Sequence, residues 1–295
     1  MNEEKDDELV CVCNEDDTIA TAIDDVIAGR VQPPNFRSSI LQALDTSPLD
    51  FLIQSFQKKD TAAMRFGRAF HSKLLTPKEF DDTFWCYPPG ITGVSKAGKE
   101  FAQGRDKSCK LSQAELSMLM RMYKSVRSIT DPDLKQYLDH PDTYKEWSMQ
   151  WVEPDSGITC TGRTDMFFVF EHGASIFDFK TTDKPLDFEQ VIFDSWYHVQ
   201  AALYIEALAS NFDRPLETVD YFIVAVSKSY PYSVMTFELS VETIAMGMAV
   251  YKRLASLYKK CSDTHCWPGQ VEYNHYLTYP ESWGDPSEIT RLIKV

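Results

Sequence analysis

The run Ser175-Ile176-Phe177-Asp178-Phe179-Lys180 sets two charges into an otherwise apolar, β-type stretch. Side chains alternate along a strand, so Asp178 and Lys180 share one face while Phe177 and Phe179 share the other. Burying a carboxylate or an ammonium is costly unless it is paired or holds a metal. An Asp–Lys pair reaching solvent at a strand end meets that condition with no function at all. The preceding run Gly162-Arg163-Thr164-Asp165 shifts the balance, because it falls in the adjacent member of an expected hairpin. Two short strands joined by a turn can bring Asp165 beside Asp178. Carboxylates that close repel each other unless a proton or a divalent cation intervenes. Hard oxygen donors with open positions suit Mg²⁺ or Mn²⁺. An ammonium on the same face can stabilise charge developing on a phosphoryl group or orient a water. Asp165, Asp178 and Lys180 thus read as the catalytic set of a metal-dependent phosphodiester hydrolase.

Two flanking features agree. Gln200-Ala201-Ala202-Leu203-Tyr204 puts Gln200 and Tyr204 one helical turn apart, on a face that can overlook the same cavity. Upstream, Gly67-Arg68-Ala69-Phe70-His71 sets His71 one turn beyond a glycine, and a neutral imidazole is a further metal donor. Singly, a core histidine and ordinary helix surface are the plainer readings. Glu146 reads better as a strand-end surface glutamate than as a supporting acid. The remaining histidines, His140, His172, His198, His265 and His275, read as structural or surface residues.

The elements that must position this set follow from periodicity. Helices are expected over 35–44 and 48–56, the second with Pro48 at its first position after a Ser47 cap. A third runs from about 60 to 75, where Thr76-Pro77 ends it, and its Ala63 and Gly67 predict a close approach to a neighbour. Further helices are expected over 111–128, 188–210 and 241–260. Strands are expected over 146–153, 158–170 and 174–180, with turns at Pro154-Asp155-Ser156-Gly157 and Glu171-His172-Gly173, and again over 220–226 and 233–239. Residues 81–110 lack periodicity and read as a surface excursion, and the chain from Cys261 onward reads as loop. No internal repeat is present. The order implies α/β or α+β organisation on one mixed sheet.

With 43% apolar and 25% charged residues in 295, the composition excludes wholesale disorder or a fibre. No apolar run approaches the roughly 18–20 residues of a membrane span. The acidic start is unlike a secretory signal, and seven scattered cysteines fit reduced thiols in a cytoplasm. The formal charge is −14, of which residues 1–25 contribute −9 through ten acidic side chains and one lysine. An acidic, unordered arm is therefore expected over 1–25 and a single domain over 26–295. Residues 91–127 run against this trend, with eight basic and three acidic side chains. Lys96, Lys99 and Lys107 there are candidate contacts to a polyanion, although a solvated helix face explains the charge alone equally well.

The order Gly-x-x-x-His, Gly-Arg-x-Asp, Asp-x-Lys-Thr-Thr, Gln-x-x-x-Tyr resembles the RecB-like branch of the PD-(D/E)xK nuclease superfamily. Within it the pattern is most similar to the RecE-type (exonuclease VIII) nuclease domains of phages and prophages. Ser47-Pro48, Lys96-Ala97-Gly98-Lys99 and Trp267-Pro268-Gly269 extend the likeness over roughly 35–270. Each motif is weak singly; their order and spacing make the set specific. The resemblance implies an α/β, restriction-endonuclease-like core, a central mixed sheet flanked by helices with a helical N-terminal elaboration. It implies that His71, Asp165, Asp178 and the backbone carbonyl of Phe179 ligate Mg²⁺, with Mn²⁺ as a substitute, and that Lys180 is the catalytic lysine. Gln200 and Tyr204 would contact DNA or support the site, and Arg163 would contact a phosphate. The implied activity is 5′→3′ degradation of linear double-stranded DNA from a free end, giving 5′-phosphate nucleotides and a 3′ tail for a single-strand annealing partner. A ring-shaped homo-oligomer is the implied assembly. The larger relative's N-terminal region has no counterpart here, so a free-standing nuclease domain is expected. Four correctly placed cysteines are lacking, so no iron–sulfur cluster is expected. Alternatives are a RecB-like nuclease of other polarity, a structure-specific endonuclease, or a DNA-binding scaffold that does not cut.

Overall fold

A computed structural model describes residues 15–57, 60–130 and 132–269. Helix α1 (Glu15–Ile27) opens the described chain. It buries Ile23 and Val26 against the core, so the acidic segment expected to be unordered over 1–25 contains an ordered, packed helix in its second half. Residues 1–14 lie outside the described residues, as do Cys11, Cys13 and His275. Helices α2 (Leu41–Thr46) and α3 (Pro48–Phe56) are separated as expected, the Ser47 hydroxyl accepting the Asp50 N–H at 3.0 Å with Pro48 in the first turn. Helix α4 (Ala62–Leu75) starts at a Thr61 cap. The expected excursion is partly helical: α5 (Pro77–Thr83) and α6 (Lys96–Ala102) interrupt it, and Trp85 is buried and bridged to Lys110. Helix α7 (Gln113–Arg127) opens on a reciprocal Ser112/Glu115 capping box, and α8 (Pro132–Leu138) follows.

Then come β1 (Tyr144–Val152), β2 (Thr159–Phe170) and β3 (Gly173–Thr182), an antiparallel meander. The expected helix over 188–210 is two, α9 (Phe188–Asp194) and α10 (Tyr197–Phe212), because Trp196 takes a left-handed conformation between them. Strands β4 (Val219–Ser227) and β5 (Val234–Glu238) complete the sheet. Helix α11 (Val241–Thr264) is the last element among the described residues and contains Cys261, which was expected in loop. The sheet order is β1-β2-β3-β4-β5, with only the β3–β4 pair parallel. That one parallel pair requires a crossover, which α9 and α10 supply.

Each face of the sheet carries its own apolar layer. One side gathers α1, α2, α3, α10 and α11 with Ile176, Phe167 and Ile223; the other gathers α4, α7 and α8 with Phe177, Phe179 and Val224. Helix α10 is buried over most of its surface, in keeping with its richness in Ala, Leu and Ile. Helix α11 can lie against it because Gly247 has no side chain; a Cβ there would fall 2.1 Å from the His198 carbonyl. The loop after α11 is also tied down. Trp267 stacks on Phe51 at 5.8 Å between ring centres, and Leu49 N–H donates to the Pro268 carbonyl at 3.1 Å. Among the described residues no helix is long and apolar enough to cross a membrane.

Candidate active site

The site forms where β2 and β3 part. Their ladder runs from Phe170↔Gly173 to Met166↔Phe177, and the next residues, Asp165 and Asp178, face each other where it ends. Past that point Asp165 substitutes for the ladder, its Oδ2 accepting the Phe179 N–H at 2.7 Å. Strand β1 is irregular at the same level. Glu146 has a φ of 49°, a conformation non-glycine residues rarely adopt. Tyr144, Met149 and Trp151 all pack into one apolar layer, which even and odd positions of an unbroken strand could not do. The break at Glu146 resets the alternation and turns its carboxylate inward, with the side chain only 14% exposed.

His71 reaches this opening from α4, on the far layer. Its Nδ1 lies 3.1 Å from Asp165 Oδ1 and 4.0 Å from Glu146 Oε1. One donor atom from each of His71, Glu146 and Asp165 falls within 4.8 Å of the others. On β3, the Lys180 ammonium lies 2.7 Å and 2.9 Å from the two Asp178 oxygens and donates to Gln200 Oε1 at 3.1 Å. It also stands 4.6 Å above the Tyr197 ring, a cation–π contact. Asp178 is 3% exposed, and its Oδ2 accepts no well-directed hydrogen bond.

Burial governs the protonation of this group, and neighbouring charge sorts it. Burial pushes the Asp178 carboxyl up to about 6, with the Asp165 charge adding and Lys180 opposing. Burial raises Glu146 as well, again with Asp165 adding. For Asp165 burial is outweighed by His71, Lys180 and the Phe179 N–H, which hold it below the usual range. His71 and Lys180 resist the same desolvation and sit above their ordinary values, His71 through Asp165 and Lys180 through Asp178. Two carboxylates and an imidazole, Glu146, Asp165 and His71, in so small a space fit a hard divalent cation, while Asp178 beside them is ion-paired to Lys180.

The structure thus brings together His71, Asp165, Asp178, Lys180 and Gln200, and lines a cleft of about 630 Å³ with His71, Phe179, Lys180, Arg163, Arg68 and Tyr197 among others. Several expectations change. Glu146 is not a surface residue but part of the cluster. Gly67 meets no packed neighbour: a Cβ there would find nothing within 4 Å, and the residue opens onto the cleft. Tyr204 does not face Lys180; it lies on an adjoining groove of about 710 Å³ with Arg37, Ser38 and Gly162. Ser38 donates to its hydroxyl at 3.4 Å, and Gly162 is what lets the ring lie on β2, since a Cβ would stand 2.6 Å from it. Arg163, 61% exposed, borders both spaces and forms an ion pair with Glu146 at 3.0 Å. Lys96, Lys99 and Lys107 are exposed on the excursion, whose Phe84 and Cys109 line the cleft but whose lysines do not. The aromatic that touches Lys180 is Tyr197, three residues before Gln200 and so on the same helical face; that spacing could have flagged it. His140, His172, His198 and His265 lie away from the cluster, His140 against Phe168 and His198 against Phe193.

Comparison with known proteins supports the same architecture. None of the curated proteins matches the chain in sequence. Among solved structures, a candidate exonuclease from Eubacterium rectale superposes with a TM-score of 0.57 at 13% identity, over 88% of this chain and 93% of that one. A second, SSO0001, reaches a TM-score of 0.32 at 9% identity over 81% of this chain and 86% of that one, too distant for argument. The first likeness is one of fold: a mixed five-stranded sheet flanked by helices, as in restriction-endonuclease-like cores. At the level of sequence, residues 38–280 match the profile of the PDDEXK-like domain of unknown function (DUF3799), and the chain belongs to that family.

Proposed function

We propose that the protein is a Mg²⁺-dependent exodeoxyribonuclease acting on the ends of linear double-stranded DNA. The observation that carries this reading is the meeting of His71, Asp165, Asp178 and Lys180 at one opening in the sheet, in a chain of the PDDEXK-like family. His71, Asp165, Asp178 and the Phe179 carbonyl would hold the cation, for which Mn²⁺ would substitute. Such an ion supplies Lewis acidity toward a phosphoryl oxygen and acidifies water. The chain's own groups do the rest. Lys180, fixed by Asp178, Gln200 and Tyr197, presents an ammonium where negative charge grows on the phosphate. Asp165 orients the His71 ring and clamps the Phe179 backbone, which fixes the spacing of the donor set. Arg163 at the mouth offers a planar donor pair to a phosphate. Lys96, Lys99 and Lys107 supply sequence-independent contacts to the duplex beyond it.

The finer expectations belong to the same proposal: 5′→3′ polarity, 5′-phosphate products, a 3′ tail passed to a single-strand annealing protein during phage or prophage recombination, a ring-shaped homo-oligomer, no iron–sulfur cluster and a cytoplasmic setting. Support for the polarity, products, tail and ring is the motif order over roughly 35–270, and support for the last two is the number and placement of the cysteines. Digestion of linear duplex labelled at the 5′ or the 3′ end, with and without Mg²⁺, tests activity, cation and direction together. Early loss of the 5′ label with Mg²⁺ alone is expected. Release of the 3′ label first would reverse the polarity, and cutting of covalently closed plasmid would make the enzyme an endonuclease. Asp178→Ala and Lys180→Ala should each abolish nucleotide release while the fold persists; activity in either would refute the site.

A further inference from the structure

Glu146 has two claimants. Its Oε2 is ion-paired with Arg163, 3.0 Å from Nε, while Oε1 stands 4.0 Å from His71 Nδ1, in the triangle of donor atoms completed by Asp165. A flexible glutamate would swing away from a second buried carboxylate. Glu146 is restrained, because its backbone sits in the left-handed region at a φ of 49° and its side chain is 14% exposed. Strain of this kind persists where the surroundings over-determine it. Arg163 is the freer partner: it is 61% exposed and stands at the junction of cleft and groove.

We propose that Glu146 exchanges Arg163 for a divalent cation, and that this exchange releases the guanidinium to a DNA phosphate at the junction. The proposal rests on the cation-dependent nuclease reading above and adds a ligand and a coupling to it. A guanidinium whose Nε is paired with a carboxylate has lost the side-on Nε/Nη fork with which arginine can grip a phosphate and keeps only the end-on Nη pair. Once Glu146 turns to His71 and Asp165, the fork is complete. Cation loading and DNA binding then favour each other, and the coupling is reciprocal by linkage.

The test is Mn²⁺ titration of the full chain, free Mn²⁺ being read by its paramagnetic resonance signal, with circular dichroism melts to confirm folding. Glu146→Gln is expected to weaken Mn²⁺ binding by about tenfold or more. Arg163→Met is expected to tighten it in the wild-type background and to change nothing in the Glu146→Gln background. If Arg163→Met tightens binding equally in both, the guanidinium acts only by through-space repulsion and the exchange is overturned. Wild-type Mn²⁺ affinity in Glu146→Gln also overturns it, and if Asp165→Asn still abolishes binding the nuclease reading survives. Wild-type affinity in both variants removes the cation site itself. Should Glu146→Gln not fold, Glu146→Asp, shorter by one methylene, replaces it with the same expected pattern at lower amplitude.

Discussion

Lys180 is held from three sides, by Asp178, Gln200 and the Tyr197 ring, and each contact restricts where its charge can sit. A cation–π contact is worth roughly 0.5–2 kcal/mol, the larger figure where water is excluded. If Tyr197 positions the ammonium, Tyr197→Leu should lower turnover by about 2–30-fold, while Tyr197→Phe, which keeps the ring face, should stay near wild type. Equal losses in both variants would show that the hydroxyl, not the ring, matters. At this scale the sequence was informative where alternation alone sets a face: Asp178 and Lys180 had to project together if the run is a strand, and a hairpin could bring Asp165 beside Asp178. It misplaced Glu146 on the surface, because a strand-end acid looks the same whether its backbone continues or kinks, and the left-handed turn there is not written in any residue preference.

Elements decide which of these side chains meet. The β1–β2 turn is anchored by Glu153, which is fully buried, accepts the Asp155 and Ser156 N–H groups and pairs with Lys252 of α11; Lys252 also pairs with Glu206 of α10. Burial opposes the Glu153 charge, yet Lys252 and the Ser156 and Asp155 donors outweigh it and hold the carboxyl at about 2. A carboxyl depressed in the folded state stabilises fully above its unfolded value, near 4.5, and loses that contribution as the pH falls through about 2. The contribution is at most about 3 kcal/mol. Denaturant unfolding of wild type and Glu153→Gln should therefore differ most at pH 6 and converge toward pH 2; a constant difference would remove the carboxylate from the account. Helix α4 gives a second case. Gly67 lies mid-helix with no neighbour over it, so Gly67→Ala should raise stability by about 0.5–1 kcal/mol in the same assay. The periodicity that marked α4 could not distinguish a glycine kept for packing from one opening on a cleft, since both leave the same gap in the pattern. Similarly, the continuous helical spacing over 188–210 hid the break at Trp196, which no proline or glycine announces.

For the whole molecule, charge is divided rather than uniform. A net −14 chain would be repelled by nucleic acid, yet its cleft is bordered by Arg68, Arg163 and Lys180 and its excursion exposes Lys96, Lys99 and Lys107. Reversing those three lysines to glutamate should weaken duplex binding and flatten its dependence on salt, because fewer counterions are released. An unchanged slope would return the excursion to ordinary surface. The architecture was legible from element order, as the alternation of helices and strands around one parallel pair left few arrangements. The packing of α1 was not, because the acidic residues around it masked the two apolar side chains, Ile23 and Val26, that seat it. The short stretch beyond α11 has a practical meaning of its own. With Trp267 lying flat on Phe51 and Pro268 bonded to Leu49, any recombinant fragment cut at the end of that helix would leave an oily socket facing water, so a soluble excised product must retain the chain at least through 269.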